Sequence, residues 1–69
     1  MPKIFSPVLN KRIKVKRLKI VYHTIPDEHG VDQKVKYVEY TVIGKYKRWK
    51  DCMLYEDFKK YNKDVQIKT

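Results

Sequence analysis

The run Lys45-Tyr46-Lys47-Arg48-Trp49-Lys50 interleaves cations and aromatic rings more densely than any other part of the chain. Those two side-chain types suit a polyanion that carries flat rings: ammonium and guanidinium groups neutralise phosphates, and aromatic faces stack on bases. Arg17, Lys19, Arg48 and Lys50 are candidates for the first role, Tyr37 and Tyr46 for the second. Lys11, Arg12, Lys14 and Lys16 would extend the positive stripe. The competing reading is a solvated sheet face, on which Lys and Arg keep the protein soluble and discourage edge pairing, and on which Tyr is simply a good strand residue.

Other constellations are weaker. His23, His29 and Cys52 match no zinc spacing, which would offer paired Cys or His a few residues apart. Cys52 has no partner set for nucleophilic catalysis and lies near the basic Lys50 but beside Asp51; a buried, inert thiol is expected. Glu56 and Asp57 are neighbours on a short helix, so they point apart, and helix-start electrostatics accounts for them. Two glycines, both in turns, cannot build a phosphate-cradling loop. The expectation is a binding protein and not an enzyme, with no metal and no cofactor.

The chain has 69 residues, one small domain near the size at which a single core is only marginally stable. Seventeen Lys and Arg against eight Asp and Glu give a net charge of +9, which favours a polyanionic partner. The charge is uneven: the segment from Met1 to Pro26 holds seven basic residues and no acid, and Asp27 is the first carboxylate. A lone cysteine excludes an intramolecular disulfide and suits a reducing compartment. Met1–Asn10, interrupted by Pro2 and Pro7, lacks the apolar run of a secretory signal, and no apolar stretch approaches the ~20 residues of a membrane span. The expected location is therefore cytoplasmic. Abundant Lys and Tyr with few Ala and Gly suit AT-rich coding and a small virus-encoded protein, in which case the compartment is the host cytoplasm.

The elements that must position these residues are mostly strands. Residues 1–10 read as an arm, because prolines deny them helix and central strand. Its apolar residues Ile4, Phe5, Val8 and Leu9 then pack either on the edge of the protein's own core or on a protein partner. Residues 11–69 read as the domain proper. Lys11–Thr24 is a long strand whose apolar phase switches: Ile13 and Val15 share one parity, Leu18, Ile20 and Tyr22 the other. That pattern implies either a bulge near Lys16–Arg17 or a strand apolar on both faces. Pro26–Gly30 is a turn, and a second strand runs from Gln33 to Ile43. Gly44-Lys45 fits a two-residue type II′ hairpin turn, leading to a third strand from Tyr46 to Cys52. Leu54, Phe58 and Tyr61 recur at helical spacing within Met53–Asn62, and Val65–Ile67 alternates as a short final strand would.

Register sharpens the picture. Pairing Ile20 with Val38 sets Lys19 against Glu39, Leu18 against Tyr40 and Val15 against Ile43, and closing the second hairpin on Gly44-Lys45 sets Tyr40 against Trp49. One face then holds Leu18, Ile20, Tyr22, Val38, Tyr40, Val42 and Trp49, with Leu54, Phe58 and Tyr61 covering it. The other holds Arg17, Lys19, Val21, Tyr37, Glu39, Thr41, Tyr46, Arg48 and Lys50. The expected fold is α+β, a three-stranded antiparallel meander with one short C-terminal helix on one face; the alternative is a small SH3-like β-barrel with a helical turn. The expected activity is electrostatic binding of DNA or RNA, single-stranded or structured, with modest sequence specificity. The alternatives are a protein-interaction module working through Ile4, Phe5, Val8 and Leu9, or an assembly protein that forms a homodimer. No membrane partner is expected.

Overall fold

A computed structural model describes residues 3–67. Its order is β1 (Lys3–Ser6), β2 (Lys11–Pro26), β3 (Asp32–Ile43), β4 (Arg48–Leu54) and α1 (Tyr55–Tyr61). The four strands form one antiparallel meander in the order β1-β2-β3-β4, so the fold is α+β. β1 and β4 end the sheet without pairing to each other, which leaves it open rather than closed into a barrel.

Four strands rather than three is the main correction to the sequence reading. Lys3–Ser6 pairs with Lys11–Lys14 across the turn at Pro7–Asn10, where Leu9 N–H donates to Ser6 Oγ and Asn10 takes a positive φ of 53° that Asn tolerates. Pro7 lies just past this strand, so it bounds the strand rather than forbids it. The supposed arm is thus an edge of the protein's own sheet, and Ile4 is fully buried in the core.

β2 carries the expected bulge. Lys16 pairs with Thr41 and Lys19 with Glu39, so Arg17 and Leu18 together oppose Tyr40. Arg17 has φ 58°, the left-handed conformation that the first residue of a G1-type bulge takes, a position more often filled by glycine. The extra residue reverses the alternation, and so Ile13 and Val15 face the core on one side of it and Leu18 and Ile20 on the other. It also sets Val15 against Val42 instead of Ile43. Ile20–Val38 and Lys19–Glu39 pair as expected.

The β3–β4 connection is not a two-residue turn. Ile43 pairs with Arg48, and the loop spans Gly44 to Lys47, closed by Gly44 N–H donating to the Lys47 carbonyl at 2.9 Å. Glycine is needed there for space: a Cβ would stand 2.7 Å from the Lys47 carbonyl oxygen and 2.9 Å from Trp49 Cζ3. The longer loop slides β4 by two residues, so Tyr40 faces Asp51 and Trp49 faces Val42. A slip of two preserves the faces, which is why the face assignment survives the wrong turn.

The core comprises Ile4, Ile13, Val15, Val38, Tyr40, Val42, Met53 and Phe58. Burying Phe58 matters most for α1: seven residues cannot sustain a helix alone, and Leu54 at its start supplies no side-chain cap. Glu56 and Asp57 lie in its first turn and Lys59 and Lys60 in its last, as the helix dipole favours. Met53 and Leu54, expected in the helix, belong to β4, and Val65–Ile67 is not a strand, although Val65 and Ile67 pack on the core. Tyr22, Trp49, Leu54 and Tyr61 were expected inside but are substantially exposed. For Tyr22 the reason is that residues 22–34 overhang the core as a two-stranded ribbon exposed along its whole length, which draws the molecule out to 42 Å against 26 and 24 Å. At its tip Asp27 Oδ1 accepts from the N–H groups of His29 and Val31, both at 2.9 Å, and Gly30 takes φ 78°. Those bonds, the one from Val31 first, hold the Asp27 carboxyl below its usual range.

Candidate nucleic-acid interface

The face of the sheet turned away from α1 divides into three zones along the strands. Its middle is the row Lys19–Glu39–Cys52, where Lys19 Nζ lies 3.3 Å from Glu39 Oε1. Toward the ribbon tip come Val21, Tyr37 and Leu54 in one row and His23 with Val35 in the next. The edge of the His23 ring rests on Tyr37, with centroids 4.9 Å apart and planes at 85°. This zone is apolar and aromatic.

Toward the β3–β4 loop the character changes. Lys16, Thr41 and Lys50 align across β2, β3 and β4. One step beyond, Arg48 pairs with Ile43, while Lys14, two residues from Lys16, pairs with Lys3 of β1. Strand alternation therefore brings Lys3, Lys14, Lys16, Arg48 and Lys50 onto one side, at register positions that hold no carboxylate. Their proximity is felt electrostatically. The partly exposed Lys16 ammonium has a pKa below its ordinary value, first because of Arg48, then through partial desolvation, then because of Arg17. A cation that repels its neighbours without a local counter-ion gains from an anion brought to it.

The six residues singled out from sequence do not form one cluster. Arg48 and Lys50 lie in the cationic zone, and Arg17 is exposed in the bulge at its border. Tyr46 sits in the loop beyond it, 90% exposed, with Lys45 Nζ 5.4 Å from its ring. Lys19 is engaged by Glu39, and Tyr37 lies on the far side of that pair. Lys14 and Lys16, marked only as an extension of the stripe, are central. Lys3 was missed because its segment read as an arm, although the alternation of Lys3, Ile4, Phe5 and Ser6 was a strand signal in miniature.

Of the apolar quartet, Ile4 and Phe5 are used internally. The Asn62 amide grips the Phe5 backbone, and the Phe5 ring packs at 5.5 Å from that of Tyr61. Val8, 89% exposed, and Leu9 remain at the surface. Cys52 is exposed on the outer face, not buried as expected, because β4 is an end strand and the residue lies opposite Glu39. It borders a shallow depression with His23 and Glu39, but no hydrogen bond joins the three, and His23 is turned onto Tyr37. Among the described residues no group of three His, Cys, Asp or Glu is placed to hold a metal ion, and no helix is long and apolar enough to cross a membrane.

No family model, curated protein or solved structure matches the chain.

Proposed function

We propose that this protein is a non-enzymatic, nucleic-acid-binding module acting in the cytoplasm, and that it holds the phosphate backbone on the cationic zone of its outer sheet face. The observation that carries this reading is the placement of Lys3, Lys14, Lys16, Arg48 and Lys50 on one side of the sheet, with no carboxylate at their register positions among the described residues, and with Lys16 repelled by Arg48. Attraction of that kind follows charge and spacing rather than base identity, so discrimination between sequences is modest. The Lys19–Glu39 pair and the carboxylates of the ribbon tip set its far limit, because Asp27, Glu28 and Asp32 repel phosphate.

Fluorescence anisotropy with labelled DNA and RNA over a salt series tests the proposal. Binding should weaken linearly in log–log form, with a slope near −3 for about four phosphates of a single strand, and Arg48→Ala/Lys50→Ala should flatten it. Weak attraction that the double variant leaves unchanged would refute the site. In that case the exposed Val8 and Leu9 favour a protein-binding reading, tested by replacing both with Ser and measuring self-association.

A further inference from the structure

At the loop end of the sheet a cleft of about 240 Å³ opens between the β1–β2 turn and the β3–β4 loop. Ile13 and Val42, both buried, supply apolar lining, and the part-exposed Leu9 and Trp49 line it as well. Lys11, Arg12 and Lys14 also border it, and no acidic residue does. The cleft is smaller than the ~300–1,000 Å³ typical of sites for drug-sized ligands, and suits one flat ring rather than a cofactor.

Trp49 is held in place and yet left uncovered. Its benzo edge abuts Gly44, where any side chain would collide, and Lys47 Nζ stands 5.9 Å from the ring. With the ring so fixed, 40% of the residue remains exposed. An apolar slot ringed only by cations has a mixed chemistry. It repels another cationic surface and offers a neutral ligand no use for the charge, but it matches a flat aromatic ring tethered to an anionic chain. Lys14 belongs both to this rim and to the cationic zone of the outer face, so the cleft, whose apolar lining from Ile13, Val42 and Trp49 lies on the α1 side of the sheet, adjoins that zone at this residue.

We infer that the cleft receives one unpaired base of a single-stranded nucleic acid, stacked on Trp49, while its flanking phosphates lie on Lys11, Arg12 and Lys14. This rests on the interface proposed above and adds the strand type and the residue that selects it. A duplex keeps its bases stacked inside and presents only phosphate to the cations, so it has nothing to place against Trp49.

Trp49 is the only tryptophan, so its emission reports on this cleft alone. The test is to titrate the full chain with oligo-dT, oligo-rU, a duplex of equal length and heparin, following both anisotropy and tryptophan fluorescence. The single strands should quench Trp49 as they bind, and duplex and heparin should bind without quenching. Trp49→Leu should cost single strands about tenfold in affinity and leave heparin binding unchanged, with melting followed to confirm folding. Single strands that bind while wild-type emission stays constant would overturn the inference and leave the interface standing. Absence of any nucleic-acid binding would overturn the interface and this inference together.

Discussion

Asn62 and Phe5, 57 positions apart, exchange two hydrogen bonds: the Phe5 N–H donates to Asn62 Oδ1 at 2.6 Å, and Asn62 Nδ2 donates to the Phe5 carbonyl at 3.1 Å. The side-chain amide serves β1 as a neighbouring strand would, and it ties the end of α1 to that strand. Asn62→Ala leaves both backbone groups of a part-buried residue without their partner and should cost about 2 kcal/mol. Asn62→Asp, which accepts but cannot donate, should cost at least as much at neutral pH. Denaturant unfolding monitored by circular dichroism checks both.

Tyr40 gives the stability a signature at high pH. Burial, with Asp51 and then Cys52 adding repulsion, pushes its phenol up to about 12. The folded state therefore favours the neutral phenol. That contribution is complete below about pH 10, where the unfolded tyrosine titrates, and is lost as pH rises toward 12. Thermal melts from about pH 9, one unit below the ordinary tyrosine value, up to about 12 should show a steeper loss in the wild type than in Tyr40→Phe.

The bulge offers a backbone test. Arg17 sits at φ 58°, where a non-glycine residue pays roughly 1–2 kcal/mol. Arg17→Gly relieves the strain but adds freedom to the unfolded chain worth about 0.4–1 kcal/mol, so its stability should fall within about 1 kcal/mol of wild type or above it. Arg17→Val, β-branched and intolerant of positive φ, should lose about 1–2 kcal/mol or shift the register. Urea midpoints separate these outcomes.

Glu39 borders the cationic zone in the next outer-face row, and it holds Lys19 at 3.3 Å. Glu39→Gln should change stability by less than about 1 kcal/mol, since Lys19 is largely exposed and Glu39 partly so. It should release Lys19 to phosphate and steepen the salt slope for a single strand by about 0.7. A salt series on the variant checks it, and an unchanged slope would place the bound strand clear of Lys19.

Much of the sheet was legible in the sequence, and the failures have physical causes. The parity switch between Val15 and Leu18 pointed to a bulge or to a strand apolar on both faces, and the register decides for the bulge, since one covered face can hold both groups only if an extra residue reverses the alternation. Lys19–Glu39 emerged from charge pairing across the same strands. β1 escaped because four residues between prolines carry too little pattern to distinguish an edge strand from an arm, and the Asn62 clasp that secures it comes from the other end of the chain. The β3–β4 turn was misjudged because Gly44 fits a type II′ turn by composition, while its actual reason is the approach of Lys47 and Trp49. The cationic and aromatic types of the site were visible in the sequence. Which cations stand together depended on the bulge and on a two-residue slide of β4, both of which only tertiary packing sets.

The most direct test of the interface compares charge reversals that alter net charge equally at different places. Lys16→Glu and Arg48→Glu fall in the cationic zone; Lys34→Glu falls on the exposed ribbon, paired with Thr24, and Lys63→Glu follows α1. Nucleic-acid affinity of all four would be measured at one intermediate salt concentration, with folding confirmed for each. Losses of about tenfold or more at Lys16 and Arg48, against small changes at Lys34 and Lys63, are the predicted result. Equal losses at all four positions would mean that net charge alone attracts the polyanion, and would contradict a defined site on the outer face.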